Sequence, residues 1–391
     1  MPDRLPAVDA LTGLPVVGMV GAGQLARMTH QAAIALGPSV RLLAEAPTDG
    51  AALVASNVVV GDYRSLNDLR SFAVGCDAVT FDHEHVPNEL IAALERDGVV
   101  VHPGSAALRY AQDKEQMRRR LTDLGVPGPP WTPVADAAQL ARFAEEHGWP
   151  VVLKATRGGY DGKGVWVISS VDEAAELLGS GTVLLAEQRV DIVRELAAVV
   201  ARSPFGQGAA WPVVETVQRD GINVQVVAPA PDLADERAEQ AQAVALDLAK
   251  QLDVVGVLAV ELFETHDGVL VNELAMRPHN SAHWTIEGSR TSQFEQHLRA
   301  VLDYPLGATG LTAPAVGMAN LLAGPSDVTP KGIDERVHHC LARWPDVKIH
   351  LYGKQFRPGR KVGHVTALGA DVAEVRCRAT AAADYLMLGD R

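Results

Sequence analysis

The stretch VGVLAVELFETHDGVLVNEL, residues 255–274, decides how the chain is read. Apolar residues alternate on either side of ETHDG, which predicts an antiparallel hairpin. If His266, Asp267 and Gly268 form a three-residue loop with Gly268 left-handed, Glu261 lies directly opposite Glu273 on one face. Like charges facing each other across a ladder repel. A divalent cation between them relieves the repulsion, and magnesium is held by one or two carboxylates together with phosphates and water. A two-residue Asp-Gly turn would shift the register by one and turn the carboxylates to opposite faces. A metal site therefore depends on the length of the loop.

Downstream, NELAMRPHNSAHW (272–284) crowds Arg277, His279, Asn280 and His283 next to the second carboxylate. Guanidinium, imidazole and amide together suit a small planar oxyanion beside a metal-bound phosphate. Upstream, VVLKATRGGYDGKGVWVI (151–168) reads as two strands around a glycine-rich turn. Backbone N–H groups in such a turn can point at phosphate oxygens, and Lys154 on the incoming strand can neutralise them. The same pattern also serves a bare hairpin, and the Walker spacing is absent. LLAEQRV (184–190) is a strand whose end can meet an adenine edge, with Glu195 within reach of ribose hydroxyls; an acidic strand end is also ordinary. Near the C-terminus, YGKQFRPGRKVGH (352–364) gathers Lys354, Arg357, Arg360 and Lys361 in a Pro-Gly turn that suits a substrate phosphate or plain solvent.

Residues 16–104 alternate strand and helix, which argues for a parallel sheet with helices on both faces. Strands are expected at Val16–Val20, Val40–Ala44, Asn57–Val60, Ala78–Phe81 and Val99–Val101. VVGMVGAGQLARM (16–28) matches the dinucleotide fingerprint G-x-G-x-x-G/A on paper, with Glu45 at the end of the second strand. A polar helix is expected from Ser105 through Leu124, then the stiff connector GVPGPPW and an α+β region of antiparallel pairs.

The 391 residues carry a net charge of −13, which disfavours sequence-independent nucleic-acid binding. No apolar run approaches the roughly 20 residues that span a bilayer, and no signal peptide is read. Three widely spaced cysteines suit a reducing cytoplasm, and structural zinc is not expected. Of 35 basic residues only eight are lysine, so the lysines retained should concentrate where a compact ammonium is preferred.

These segments, with GAGQLARM (21–28), FDHEHV (81–86) and SQFEQHLRA (292–300), resemble the ATP-grasp superfamily. Within it they are similar to the 5-(carboxyamino)imidazole ribonucleotide synthases of purine biosynthesis. The resemblance implies an ATP-grasp fold, α/β and α+β, in three parts. These are a Rossmann-like domain (1–104), an ATP-grasp domain (105–310, clamp lobe about 132–190) and a small β-rich C-terminal domain (311–391). It implies carboxylation of 5-aminoimidazole ribonucleotide with ATP, bicarbonate and Mg²⁺, in a cytoplasmic homodimer without nucleic-acid or membrane partners. A formate-dependent glycinamide ribonucleotide transformylase is the related alternative.

By position, Lys114 and Lys154 would touch ATP phosphates under the loop of Gly159, Tyr160, Asp161, Gly162, Lys163 and Gly164. Glu187, Gln188 and Val190 would meet adenine and Glu195 the ribose, while Glu261 and Glu273 would hold Mg²⁺ with Asn272 alongside. Arg277, His279 and Asn280 would hold bicarbonate and the reacting amine. Glu84, Tyr160, Asp161, Lys354, Arg360 and Lys361 would bind the ribonucleotide. The amides of Gly23 and Gln24, at a helix N-terminus, are expected to face that substrate in place of a dinucleotide.

Overall fold

A computed structural model describes residue 9 and residues 11–159, 162–324 and 332–389. The first sheet follows from its composition: β1 (Val16–Val20) is buried at all five positions, the mark of a parallel strand covered on both faces. With β2 (Ser39–Ala44), β3 (Val58–Val60) and β4 (Ala78–Phe81) it forms a parallel sheet in the order β3-β2-β1-β4. Side chains alternate between two cores. Val17, Met19 and Leu42 pack with helix Gln24–Leu36, and Val20 and Leu43 pack with Phe72, Ile91 and Leu94 on the other face. The strand expected at Val99–Val101 is reduced to one bridge, Val79 to Val101.

The polar helix expected from Ser105 is two helices, Ser105–Gln112 and Lys114–Asp123, broken at Asp113. Asp113 is extended, and its carboxylate accepts the N–H groups of Glu115 and Gln116. Gln116 in turn donates its side-chain amide to Asp113 at 3.1 Å. That cap opens a second helix with Lys114 at its first position.

The clamp lobe is an antiparallel sheet of β5 (Trp131–Val134), β6 (Val151–Ala155), β7 (Val165–Ile168) and β8 (Leu184–Gln188), ordered β5-β8-β6-β7. Helix Ala137–His147 closes its core through Leu140 and Phe143 against Val151, Leu153 and Ala186.

The third sheet contains β9 (Arg194–Arg202), β10 (Gly208–Ala210), β11 (Val214–Arg219), β12 (Ile222–Ala228), β13 (Gly256–Glu264), β14 (Val269–Ala275), β15 (Ala315–Leu322), β16 (Lys348–Leu351) and β17 (Lys361–Gly369). Its order is β14-β13-β9-β11-β12-β15-β17-β16, with β10 on β9. The C-terminal strands thus continue the same antiparallel sheet through the β12–β15 pairing. Helix Val372–Leu388 covers that end through Val375, Ala379, Ala382 and Leu386. The hairpin β13–β14 lies at the opposite edge, where it meets Lys154 of the clamp lobe and Lys114.

Candidate active site

Near its bend the hairpin departs from the expected register. Glu264 faces Val269, Phe263 faces Leu270 and Leu262 faces Val271. The Thr265 N–H donates to the Gly268 carbonyl at 2.8 Å, so the chain turns over His266 and Asp267. Gly268 has φ 153° and is not in the expected left-handed helical conformation. A β-bulge then absorbs Asn272, and beyond it Glu261 faces Glu273. The carboxylates do meet, by another route than a three-residue loop. A regular strand would send Asn272 and Glu273 to opposite faces. The bulge lets both reach the cleft: Asn272 Oδ1 accepts from Lys154 Nζ at 3.0 Å, and Glu273 pairs with Lys114.

Burial, and then the charge of Glu273, push the Glu261 carboxyl up to about 7. The His279 Nε2 lies 3.4 Å from Glu261 Oε1. Burial holds this imidazole well below its ordinary pKa, hence neutral. Its Nδ1 accepts from Ser281, whose N–H lies at 3.4 Å and hydroxyl at 2.9 Å, so the proton sits on Nε2 toward Glu261. Among the described residues no cluster of three or more His, Cys, Asp or Glu side chains forms a metal cage. Two carboxylates with an amide oxygen nearby suit a hard cation that takes its other ligands from phosphate and water.

Lys154 is buried, and burial lowers its pKa against the pull of Glu187. Its Nζ lies 2.7 Å from Glu187 Oε2. Glu187 is pushed up by burial, but the charges of Lys154 and Arg118 outweigh that and hold it below the usual carboxylate range. Arg118 is not among the residues expected from sequence, yet it joins three elements. Its Nε donates to Glu187 at 2.6 Å, Nη1 to the Val271 carbonyl at 2.6 Å and Nη2 to the Asn272 carbonyl at 2.8 Å. The Glu187 side chain is thereby committed beneath the cleft, which leaves its main chain for the contact with adenine that the strand end is expected to make. Gln188 donates its side-chain amide to the His147 carbonyl at 3.4 Å, and Val190 is partly exposed just beyond β8. Glu195 is partly buried and hydrogen-bonded by Gln218, with burial raising its pKa.

In the glycine-rich loop, Gly162 and Gly164 have φ of 75° and 76°. A Cβ on Gly162 would come within 3.0 Å of Gly221 Cα, so the loop rests on the β11–β12 turn. Lys163 is exposed beside them, and a Cβ on Gly159 would meet the Lys163 carbonyl at 2.7 Å. Tyr160 and Asp161 lie outside the described residues.

On the other side of the carboxylate pair, Glu84 Oε1 accepts the Met276 N–H at 2.7 Å, and its Oε2 lies 3.5 Å from Arg277 Nε. Lys354 donates to Gln24 Oε1 at 2.5 Å, which brings the C-terminal basic turn to the helix of the first domain. Lys361 begins β17 and Arg360, exposed, precedes it. Two expectations are corrected here. The Gly23 N–H is already given to Asp82 Oδ2 at 2.5 Å, so only the Gln24 end of that helix start is left for a ligand. Asn280 is buried in a reciprocal amide pair with Asn320 at 2.8 and 3.0 Å, so it braces the site and does not line it. Glu45, the paper partner of a dinucleotide ribose, is exposed and 3.3 Å from Arg64.

A clamp lobe over an antiparallel sheet, with Lys154 meeting Asn272 and Lys114 meeting Glu273 beside a carboxylate pair at the sheet edge, defines an ATP-grasp protein. Family models match the chain in three segments: a ribonucleotide synthetase preATP-grasp domain at residues 14–112, an ATP-grasp domain at 119–294, and a phosphoribosylaminoimidazole carboxylase C-terminal domain at 316–378. The chain is 58% identical to the N5-carboxyaminoimidazole ribonucleotide synthase of Mycobacterium tuberculosis, over 99% of this chain and 91% of that one. The crystal structure of the Thermus thermophilus N5-carboxyaminoimidazole ribonucleotide synthetase superposes with a TM-score of 0.85 at 36% identity, covering 95% and 98% of the two chains. That of the Aspergillus clavatus synthase in complex with ADP and 5-aminoimidazole ribonucleotide superposes at 0.86 and 31% identity, with the same coverage. The chain belongs to the N5-carboxyaminoimidazole ribonucleotide synthase family.

Proposed function

We propose that this chain carboxylates the exocyclic amine of 5-aminoimidazole ribonucleotide, using ATP and bicarbonate, to give 5-(carboxyamino)imidazole ribonucleotide in purine biosynthesis. The observation that carries the reading is the bulged hairpin. It turns Glu261, Asn272 and Glu273 toward one cleft, between two lysines and the Arg277–His279 segment.

Lys114 and Lys154, now resting on carboxylates, would transfer to the triphosphate with the 159–164 loop above it, and the main chain of 187–190 and Glu195 would meet adenosine. Mg²⁺, held by Glu261 and Glu273, would neutralise charge on the phosphates. Bicarbonate attacks the γ-phosphorus, giving carboxyphosphate and ADP. The amine then takes the carboxyl group, directly from carboxyphosphate or from CO₂ released with inorganic phosphate. Arg277 holds the carboxylate. His279 has its Nδ1 filled by Ser281 and its Nε2–H turned toward Glu261, so neither nitrogen is open to the amine proton. That favours the departing phosphate as base. Carboxyphosphate is labile in water, so clamp closure protects it.

The substrate side comprises Gln24, Glu84, Tyr160, Asp161, Lys354, Arg360 and Lys361. The division at 104 and 310, a cytoplasmic homodimer and the magnesium requirement belong to the same proposal. No helix among the described residues is long and apolar enough to cross a membrane.

ADP release is the test. It should require both bicarbonate and the aminoimidazole ribonucleotide for full rate and fall away in bicarbonate-free buffer. Turnover with formate and glycinamide ribonucleotide in their place would overturn the assignment.

A further inference from the structure

Behind the substrate side lies a hydrogen-bond chain in which one donor too many is pointed at Gln24. Gln293 is fully buried, and its amide can be oriented in only one way. Its Oε1 accepts the His279 N–H at 2.7 Å and its Nε2 donates to the His279 carbonyl at 2.8 Å. The second Nε2 hydrogen points at His283 Nδ1, 2.9 Å away. His283 Nδ1 is therefore an acceptor, and a neutral ring there carries its proton on Nε2. Burial keeps the ring neutral, with His279, Lys361, His350 and Arg277 adding to the push in that direction. His364, Tyr352 and Phe294 enclose the rest of the ring.

The Nε2–H of His283 faces the Gln24 side chain at 3.4 Å. From the other side Lys354, a donor only, sits 2.5 Å from the same side-chain amide. A primary amide has one oxygen. With that oxygen on Lys354, the –NH₂ meets another N–H; with the amide turned over, the –NH₂ meets an ammonium. Either orientation leaves two donors facing each other in a partly buried place.

We propose that Gln293 and His283 are positioning residues that leave the Gln24 side chain with a donor on either side and one oxygen to meet them, so that an anionic oxygen of the ribonucleotide, its phosphate, completes the set. On arrival of the phosphate, Lys354 moves its bond to the anion. Gln24 then turns its oxygen to the His283 Nε2–H and both amide hydrogens to the ligand. No bond to carbon or phosphorus changes. The helix Gln24–Leu36 adds its N-terminal partial positive charge at the same point. The inference rests on the reading that Lys354 and Gln24 meet the ribonucleotide, and it adds what makes them selective for an oxyanion.

Long-range ¹H–¹⁵N spectra of histidine-labelled full-length protein test the first part. His283 should carry its proton on Nε2, and the Nε2 resonance should move with 5-aminoimidazole ribonucleotide but not with ATP. A proton on Nδ1, or an Nε2 resonance indifferent to the ribonucleotide, overturns the proposal. A double-mutant cycle tests the second part. Gln24→Met should raise KM for the ribonucleotide about tenfold with KM for ATP unchanged, and less than about threefold when His283 is already Phe. Equal effects in the two backgrounds overturn it. Lys354→Ala separates this inference from the reading beneath it. If Lys354→Ala leaves ribonucleotide KM intact, the substrate site itself is misassigned; if it raises KM while the cycle shows no coupling, only the role of His283 and Gln293 falls.

Discussion

Replacing Glu261 by Gln should make the ligand-free protein more stable while abolishing its chemistry. The carboxyl is lifted from 4.5 to about 7, first by burial and then by Glu273. A folded-state pKa raised above the unfolded value means that the unfolded chain gives up its proton first as pH rises. No penalty exists below pH 4.5; it grows between 4.5 and about 7 and is constant above. At about 1.4 kcal/mol per pH unit, the rise from 4.5 to about 7 amounts to roughly 3 kcal/mol at pH 8. A glutamine at this position would keep a similar shape without that charge. The denaturation midpoint of E261Q should therefore exceed that of the parent in urea at pH 8, and the gap should close by pH 4.5 to 5. Turnover should drop at least about a hundredfold, on the order lost when one group stabilising developing charge is removed. An equal or lower midpoint at pH 8, or a gap that does not shrink on acidification, would refute the reasoning, because the penalty would not then come from a buried carboxylate facing a second one.

Metal-nucleotide binding should release protons: with Glu261 near 7, about half a proton at pH 7 and about one-tenth at pH 8, measurable by calorimetry in buffers of different ionisation enthalpy. Arg277→Ala should abolish carboxylation yet leave ATP affinity within about twofold by equilibrium binding, since the guanidinium sits beside Glu84, on the substrate side of the carboxylate pair. Surviving carboxylation would remove Arg277 from its role. Arg118→Met should destabilise the chain by about 3 kcal/mol in urea, toward the lower end for a broken buried ion pair because Lys154 still faces Glu187. Its kcat should also fall, since the carbonyls of Val271 and Asn272 on the bulge lose their donor.

Much of this arrangement was legible because hydrophobic periodicity and glycine placement are local signals. β1 and β4 lie where the patterning puts them, and helices lie between strands of the first sheet as the patterning requires. The bulge at Asn272 was not legible. Nothing in VLVNEL marks an extra residue, because a bulge is stabilised by what lies across the strand, here Arg118 and Lys154 from other elements. Arg118 itself was hidden in a helix that reads as polar and solvated. The Asp113–Gln116 capping pair was a local signal that the helix restarts there, with Lys114 and Arg118 one turn apart on the new helix. The inward turn of Glu187 and the Asn280–Asn320 pairing depend on contacts between distant segments, which one sequence does not reveal.

The resting state also constrains how the substrates enter. Lys114 is paired with Glu273, the carboxylate assigned to the metal, and Lys154 shares Asn272 with the same strand. A triphosphate alone would have to draw Lys114 away and leave Glu273 facing Glu261 without a cation. A metal ion alone would take both carboxylates and leave Lys114 without a counter-charge. Each ligand removes the other's obstacle, so the pair arriving together exchanges one set of charge contacts for another without leaving a buried charge unmatched. In such an exchange the coupling of the two ligands is reciprocal by necessity. The bulge makes it possible, because there two consecutive residues of one strand, Asn272 and Glu273, reach the lysines from the same face.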